Sequence, residues 1–420
     1  MRRVPLLLFA VLALGARGAA AAPAAGPACD QDTGISLPPG FCATVFADDL
    51  GTARHMAVGS DGTLYVALQS VEKGGALVAL RDSKGSGRAD QVHRVGDEGG
   101  SGIALYGGYA YFATPTSVLR YRLGKDGVPE PKAETVVDGF PEQGEHAAKS
   151  IAISEQGQLY VNVGAPSNAC QQADRAAGSW GETPCPLLAE HGGIWRFAAG
   201  KTGQHFPNDG ERYATGIRNA VAIDWTPSGL YAVQMGRDQL SDNWPKLYTD
   251  AESAELPGEE FFAVHQGEDF GWPYCYYDQI QKKKVQAPEY GGDGKKVGDC
   301  AKYGQPLAAF PGHWAPEALL FYGGKQFPAA YHGGVFVSFH GSWNRAPLPQ
   351  AGYRVVFMPF RDGKPGAYQT FANGFAGKDK IAESNDARYR PMGLAEGPDG
   401  SLYIGDTQKG RIWKVVYTGH

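Results

Sequence analysis

Several residues able to act as acids, bases or anion ligands stand immediately before apolar, strand-like segments. His146 precedes an apolar triplet at 151–153, Arg218 and Asn219 precede the next such segment, and Arg390 precedes the last one. A neutral histidine can serve as a general base near neutral pH, and arginine can bind a carboxylate through two parallel hydrogen bonds. A lone histidine is more often structural. The recurrence of polar residues at equivalent places nevertheless favours one shared site.

A second group of candidates lies around a strongly apolar segment at 335–339. The run FHGSWNR at 339–345 is rich in hydrogen-bond donors, and its Arg345 could bind a ligand carboxylate. Lys325 could add a point charge. We expect Trp343, in contrast, to pack beneath a loop.

The loop QMGRDQLSDN at 234–243 places two carboxylates and glycine-flanked carbonyl groups after a strand-like segment. Such oxygen ligands suit calcium, although the loop lacks the spacing of an EF-hand and acidic loops are usually only solvated. The sequence has no phosphate-binding, dinucleotide-binding, zinc-protease or serine-hydrolase motif, and no C-x-x-C-H haem attachment motif.

A weak internal repeat organises the chain. Each copy has an apolar strand, a polar turn and an alternating strand, whose aromatic markers are Tyr65, Tyr111, Tyr160, Tyr231, Phe336 and Tyr403. Four-stranded propeller blades need about 40 to 50 residues each, so the longer intervals imply insertions. The pattern predicts an all-β fold, a six-bladed β-propeller with long inserted loops at 167–190 and 238–300. A β-sandwich or two all-β domains would be the alternative, which the lack of a linker-like composition shift disfavours.

Short segments at the two ends of the repeat predict how the ring closes. The segments at 118–122, 193–197 and 411–416 have the pattern of third strands. The segment at 41–46 precedes the first copy and has no blade of its own. We therefore expect it to pair beside 411–417, which would remove an exposed sheet edge.

Composition narrows the possible partners. The 420 residues include 59 Gly and 28 Pro, which indicates many turns and excludes an all-helical protein. A formal net charge of −5 without a basic stripe argues against nucleic acid and anionic membranes as partners.

Six cysteines allow many disulfide pairings, of which sequence proximity favours Cys29 with Cys42, Cys170 with Cys185 and Cys275 with Cys300. Zinc binding is the competing interpretation, disfavoured because no C-x-x-C occurs.

The first residues predict a secretory signal peptide at 1–22, followed by a single domain at 23–420. A basic start, an apolar run at 4–16 and small residues at 18–25 match such a signal. The apolar run is shorter than the roughly 20 residues that span a bilayer. We therefore expect secretion across the inner membrane to the periplasm or the extracellular space, without stable membrane insertion.

Five segments follow one another along the chain: IRNAV at 217–221, MGRD at 235–238, DFGWPYC at 269–275, HGSWNR at 340–345 and RPMG at 390–393. Taken in this order, they resemble the soluble glucose/sorbosone dehydrogenase family, particularly its sorbosone dehydrogenase-like branch. Members of that family are six-bladed propellers that hold pyrroloquinoline quinone (PQQ) and calcium and oxidise sugars or related alcohols and aldehydes. The resemblance implies an exported PQQ- and calcium-dependent dehydrogenase for an aldose, a sorbosone-like aldehyde or a polyol. Its electrons would pass to an external acceptor, a cytochrome or a quinone.

The resemblance also implies roles for individual residues. His146 matches the general base, Arg218 matches the residue that stabilises negative charge on the quinone oxygen, and Asn219 stands beside it. The cofactor contacts would come from Lys325, Asn344, Arg345 and Arg390, and the calcium ligands from Gly236, Arg237 and Asp238. Glu145 and Arg237 stand where glucose-oxidising members have Asp and Pro, so glucose itself is not implied as the substrate.

Two other functions stay open: a propeller that binds glycans or proteins, and a calcium-dependent lactonase. A lactonase would need several Asp, Glu or Asn side chains converging on calcium. The candidates in this sequence form a cationic set that suits an anionic cofactor better.

Overall fold

Six antiparallel β-sheets surround a central channel, which confirms the predicted six-bladed β-propeller. The computed structural model describes residue 1 and residues 29–419, so the predicted signal peptide lies, apart from its first residue, outside the described part of the chain. The chain enters the ring at β1 (Phe41–Ala47).

The first three blades come from residues 53–215. Blade 1 contains β2 (Ala53–Val58), β3 (Leu64–Glu72), β4 (Gly75–Arg81) and β5 (Gln91–Val95). Blade 2 contains β6 (Gly102–Tyr106), β7 (Tyr109–Ala113), β8 (Val118–Leu123) and β9 (Pro129–Asp138). Blade 3 contains β10 (Ile151–Ile153), β11 (Gln158–Val163), β12 (Gly193–Ala198) and, after β13 (Gln204–His205) has paired with β9, β14 (Glu211–Thr215).

Blade 4 contains the longest insertion. Its strands are β15 (Ala222–Thr226), β16 (Gly229–Gln234), β17 (Glu259–Val264) and, after three insertion strands, β21 (Ala308–Phe310). The inserted elements are α1 (Leu240–Asn243), α2 (Asp250–Glu255), β18 (Glu268–Asp269), which pairs with β14, and the hairpin of β19 (Cys275–Asp278) and β20 (Lys283–Gln286). Short 3₁₀ turns cover Pro186–Ala189, Pro288–Tyr290, Gly298–Lys302, Ala329–Tyr331 and Ser384–Asp386.

The last two blades complete the ring. Blade 5 contains β22 (Pro316–Phe321), β23 (Val335–Phe339), β24 (Arg354–Met358), a small hairpin of β25 (Phe360–Arg361) and β26 (Lys364–Pro365), and β27 (Gln369–Ala372). Blade 6 contains β28 (Pro391–Glu396), β29 (Leu402–Asp406) and β30 (Ile412–Tyr417). β1 pairs antiparallel with β30, so that Phe41 lies opposite Tyr417. The predicted closure is confirmed.

The repeat pattern predicted the blades because it follows their second strands. Each of the six aromatic markers lies on the second strand of its own blade, and all six are buried. Apolar side chains fill the junctions between neighbouring blades, and Trp195 and Trp413 are among the largest. These second strands are buried at nearly every position, because both of their faces pack against neighbouring blades.

The innermost strands, β2, β6, β10, β15, β22 and β28, contact one another in a closed circuit around the channel. Their backbones approach closely at the end where these strands begin. A Cβ atom on Gly102 would lie 2.4 Å from the carbonyl oxygen of Lys149, and one on Gly393 equally close to that of Arg54. Glycine is required at both positions because no side chain would fit.

The three expected disulfides form: Cys29–Cys42, Cys170–Cys185 and Cys275–Cys300. The last two fix the inserted loops. In the part of the chain that the structure describes, no helix has the length and apolar character needed to cross a membrane.

Candidate functional site

The candidate site lies at the end of the channel where the inner strands begin. Arg218 and Asn219 stand before β15, and Arg390 directly precedes β28. The long insertions begin where β11 and β16 end, at this same end of the channel. A cavity of about 390 Å³ opens there, and its lining includes His146, Arg175, Arg218, Asp238, Asn344 and Arg390.

His146 is positioned by its own unusual backbone. Its φ of 53° is left-handed, and its Nδ1 lies 2.5 Å from the carbonyl oxygen of Ala165. Since a carbonyl only accepts, Nδ1 donates, and the lone pair is on Nε2. Gly164 makes this placement possible, because a Cβ there would lie 2.7 Å from the His146 Cβ. Burial and the nearby charge of Arg218 lower the pKa of His146 to about 4, so the imidazole is neutral at pH 7.

Arg218 is almost fully buried and is held on three sides. Its guanidinium donates to the Gly236 carbonyl at 2.7 Å, to the Asn168 carbonyl at 3.1 Å and to Asp238 Oδ2 at 2.7 Å. Burial alone would raise the pKa of Asp238, but the charges of Arg218, Arg175 and the nearby histidines together outweigh it, and the pKa is far below its usual range. The site therefore holds a permanent buried ion pair.

Arg175 enters the cavity from the loop closed by the Cys170–Cys185 disulfide, and the sequence interpretation missed it. Its guanidinium binds both carboxylate oxygens of Glu145, at 3.1 and 2.8 Å, and reaches Asp238 Oδ2 at 3.1 Å. The hydrogen bond from Arg175 lowers the pKa of Glu145. Arg175 thus links the residue before His146 to the carboxylate that pairs with Arg218.

The segment after β23 forms the opposite wall of the cavity. Asn344 Nδ2 donates to Asp238 Oδ1 at 2.6 Å, while its Oδ1 is buried and has no hydrogen-bond partner among the described residues. Trp343 was expected to pack beneath a loop, and this expectation is wrong: its side chain is 53% exposed and lines the cavity. Arg390 donates to the carbonyl groups of His340 and Gly341, at 3.2 and 2.6 Å.

Two further lining groups are close to neutral at pH 7. Burial raises the pKa of Glu259 to about 8, and its carboxyl accepts from the Gly236 amide at 2.8 Å. Burial also lowers the pKa of His313. The charged groups that line the cavity are the guanidinium groups of Arg175, Arg218 and Arg390 and the carboxyl groups of Asp238, Glu145 and Glu317. Glu317 is paired at 3.2 Å with Arg54, so that four guanidinium groups stand against three carboxyl groups, a cationic excess of one.

The structure does not bring two of the sequence candidates to this cavity. Lys325 is exposed after the end of β22, whereas the cavity lies at the start of that strand. Arg345 turns away from the cavity and donates to the Ala254 carbonyl at 2.5 Å and to Glu255 at 2.6 Å. These contacts satisfy the carboxyl end of α2, a common use of arginine. Asn219 does lie beside the site, where its Oδ1 accepts from Asn162 at 3.1 Å.

Most oxygen atoms of the loop expected to bind calcium already accept hydrogen bonds from the protein itself. The Gly236 carbonyl accepts from Arg218, both carboxylate oxygens of Asp238 accept from arginine or amide groups, and the Asp238 carbonyl accepts from Asn168 at 3.0 Å. The Arg237 guanidinium pairs with the buried Glu289. A calcium ion would have to displace guanidinium groups from the oxygen atoms it needs, so this donor set does not fit the ion.

A second cavity of about 350 Å³ adjoins the first at His146, Met235 and Glu317. Its lining includes Arg54 and Glu317, which pair at 3.2 Å, and Asn219. His146 therefore stands between a cationic cavity and a more mixed one. Two spaces that meet at a neutral histidine can hold two reacting molecules on either side of a base.

The functional residues that sequence reasoning missed are mainly Arg175 and Asn168. Asn168 is fully buried, and its Oδ1 accepts from the Asp238 amide at 2.7 Å. Both residues lie in the insertion at 167–190, which the sequence had marked as a long loop. Its two cysteines were the available signal, because a disulfide-closed loop at the active end of a propeller is held firmly enough to carry site residues.

Comparison with known proteins places these features in context. Over 211 residues the chain is 30% identical to an uncharacterized protein of Borreliella burgdorferi, covering 49% of each chain. Over 168 residues it is 26% identical to the pyrroloquinoline quinone-dependent pyranose dehydrogenase of Coprinopsis cinerea, covering 34% of this chain and 22% of that protein. The chain thus spans about half or less of the length of these curated relatives.

Two solved structures share the fold. The PQQ domain of the Coprinopsis cinerea pyranose dehydrogenase in its holo form has a TM-score of 0.73 at 18% identity, covering 93% of this chain and 99% of that one. The calcium structure of Trichoderma reesei Carbohydrate-Active Enzymes family AA12 has a TM-score of 0.72 at 18% identity, covering 91% and 97%. A family model described as TrAA12-like matches residues 35–418, and the chain belongs to that family.

Proposed function

We propose that this protein is an exported PQQ-dependent dehydrogenase that oxidises an aldose, a sorbosone-like aldehyde or a polyol. Electrons would leave to an external acceptor, a cytochrome or a quinone. The observation that carries the proposal is a neutral histidine beside a cavity with excess cationic charge. The similarity to the pyranose dehydrogenase supports the substrate class.

The residues of the cavity fit PQQ. The cofactor is a flat tricarboxylate, and the Arg390 guanidinium, which donates only to main-chain carbonyl groups, can pair with one of its carboxylates. Arg175 and Arg218 are already bound to Glu145 and Asp238, and they add positive charge to the wall. The exposed ring of Trp343 offers a flat apolar surface, and the orphaned Asn344 Oδ1 can accept a hydrogen bond. When bound, PQQ supplies a quinone that accepts hydride.

The protein's own part in the reaction is to bind the substrate and move its proton. We assign His146 Nε2 as the acceptor of the substrate hydroxyl proton, because Nδ1 is committed to Ala165. The positive charge of Arg218 stabilises the negative charge that develops beside it. Glu145 is engaged by Arg175 on both oxygens, so it does not compete as a base.

We propose no part for calcium in this reaction, although the family resemblance implies the ion. The oxygen atoms expected to bind it face Arg218, Arg175 and Asn344. We propose that these groups supply the positive charge next to the cofactor.

Export is the remaining part of the proposal. Three disulfides favour an oxidising compartment, periplasmic or extracellular. Deleting residues 2–22 should retain the protein in the cytoplasm, and fractionation of cells expressing both forms measures this. Equal export of the two forms would contradict the predicted signal peptide.

The experiment that tests the enzymatic function is a titration of the apoprotein with PQQ, followed by absorbance and calorimetry. Arg390→Gln should weaken PQQ binding, and His146→Gln should abolish dye-linked sugar oxidation while leaving PQQ binding intact. Lys325→Gln distinguishes two expectations. The family resemblance implies that Lys325 contacts PQQ, so the variant should bind it more weakly, whereas the position of Lys325 outside the cavity predicts unchanged PQQ binding. No PQQ binding, together with no oxidation across a panel of sugars and aldehydes, would reject the function. Lactone hydrolysis without PQQ would favour the alternative.

A further inference from the structure

A large open groove lies between the two long insertions, separate from the cavity of about 390 Å³ at His146. We call it the aromatic groove; its volume is about 900 Å³, more than twice that of the cavity at His146. The two share no lining residue. The side chains that define the groove are Trp180, Tyr274, Tyr290, Tyr303, Lys296 and Lys302.

The aromatic rings of the groove are fixed before any ligand binds. Tyr274 Oη accepts from the Cys185 amide at 2.9 Å, and Tyr290 Oη donates to the Ala169 carbonyl at 3.2 Å. The two rings meet edge to face at 4.9 Å between centroids. With their hydroxyl groups tied to the backbone, these tyrosines present mainly ring surface to the groove.

Trp180 is the exposed member of the set. Its side chain is 55% exposed, although its ring contacts Trp244 edge to face at 5.5 Å. Next to it, Gly181 packs directly on Tyr290, since a Cβ there would lie 2.2 Å from the Tyr290 ring. The backbone that carries Trp180 is thereby held against the groove wall. A large exposed aromatic ring on a fixed backbone is typical of a binding surface.

The walls of the groove are rigid, and its rim is polar. The Cys275–Cys300 disulfide joins the strand β19 to the 3₁₀ turn at 298–302, and Lys302 pairs with Asp299 at 3.3 Å on the rim. A preorganised site loses little conformational entropy on binding. Rings on the walls with ammonium and carboxylate groups around them match the two kinds of surface on a pyranose, its C–H face and its hydroxyl groups.

Both glycans and single-stranded nucleic acids stack on aromatic rings, and the charge of the protein distinguishes between them. Nucleic acid would need net positive charge. The protein has a net charge of −5, and one of the two rim lysines is paired with Asp299. We infer that the aromatic groove binds a neutral oligosaccharide strand and serves as a carbohydrate-anchoring site apart from the site of oxidation. This inference does not depend on PQQ.

The test uses the full-length apoprotein and calorimetric titration with cellohexaose, xylohexaose and maltohexaose. At least one of these should bind, and Trp180→Ala should raise its Kd by about tenfold or more, which corresponds to loss of about 1.4 kcal/mol. Ile280→Ala is the matched control, because Ile280 is 63% exposed on the neighbouring hairpin but does not line the groove. Its Kd should equal that of the unmodified protein.

The outcomes separate this inference from the proposed enzyme. Absence of binding by all three hexasaccharides would overturn it, as would equal affinity of the Trp180→Ala variant. Oxidation of a monosaccharide by the PQQ-loaded Trp180→Ala variant should be unchanged, since Trp180 lies outside the cavity. A loss of oxidation in that variant with unchanged hexasaccharide binding would also overturn the inference.

Discussion

Removing the charge of Asp238 is the most direct test of the site's electrostatics. Oδ2 of this carboxylate accepts from Arg218 at 2.7 Å and from Arg175 at 3.1 Å, and Oδ1 accepts from Asn344 at 2.6 Å. The side chains of Asp238 and Arg218 are only 10% and 2% exposed. Asp238→Asn keeps the shape of the side chain but leaves Arg218 buried without a carboxylate partner.

The expected cost follows from that burial. Removing one partner of a buried ion pair costs about 3 to 5 kcal/mol, because the other charge stays desolvated. Arg218 would keep its bonds to the carbonyl groups of Gly236 and Asn168, and Arg175 would keep Glu145. We therefore expect the lower end of the range, a loss of about 3 kcal/mol in the free energy of unfolding.

Urea unfolding followed by tryptophan fluorescence at pH 7 measures this loss. The control is Asp49→Asn, since Asp49 pairs with Lys73 at 2.8 Å but is 91% exposed, and no measurable change is expected there. The folded pKa of Asp238 lies below its ordinary value of 3.8, so its stabilisation exists above that pH and is lost as the pH falls further. The difference between Asp238→Asn and the unmodified protein should shrink below pH 4. If Asp238→Asn and the unmodified protein were equally stable at pH 7, the role of Asp238 as the buried partner of Arg218 would be refuted.

Three further outcomes follow from the same geometry. Dye-linked oxidation should keep its kcat as the pH falls and decline only near pH 4, where His146 becomes protonated; a decline centred near pH 6.5 would contradict the lowered pKa. Calorimetry should give the same Kd for PQQ in EDTA and in calcium, because arginine and amide groups already donate to the Asp238 carboxylate expected to bind the ion; tighter PQQ binding with calcium would contradict this. The pKa of Glu259 is raised from 4.5 to about 8, so the folded state loses stability as the pH rises between these values. The Tm advantage of Glu259→Gln over the unmodified protein should accordingly grow from pH 5 to pH 8.5, and a constant Tm difference would count against burial as the cause.

The fold could be predicted from the sequence because its signal is local and repeated. Tyr65 and Tyr403 lie more than three hundred residues apart, yet each sits on the second strand of a blade and meets the same packing demand. The pairing of the segment at 41–46 with the last strand also followed from counting, since one strand lacked a blade. Such inferences need only the period of the repeat and the cost of a free sheet edge.

The position of a candidate site residue could be predicted only where that residue is tied to the repeat. Arg390 directly precedes the inner strand β28, and the propeller places it at the channel end without further information. Arg345 lies six residues after β23, beyond the repeat, and its direction depends on the position of α2. Lys325 lies away from the cavity for a related reason, because it follows an inner strand instead of preceding it and is therefore at the opposite end of the ring.

The inserted loops place the side chains whose positions the repeat does not predict, and the loop between Cys170 and Cys185 is an example. The segment between Cys170 and Cys185 presents Arg175 to the cavity at His146 and Trp180 to the aromatic groove, within five residues of each other. Each contact spans tens of residues: Arg175 reaches Glu145 and Asp238, and Trp180 packs on Trp244. No local pattern encodes such contacts. The Cys170–Cys185 disulfide closes the loop that carries both side chains. A glycan bound in the groove would therefore contact the same loop whose Arg175 pairs with Glu145 and Asp238 beside His146.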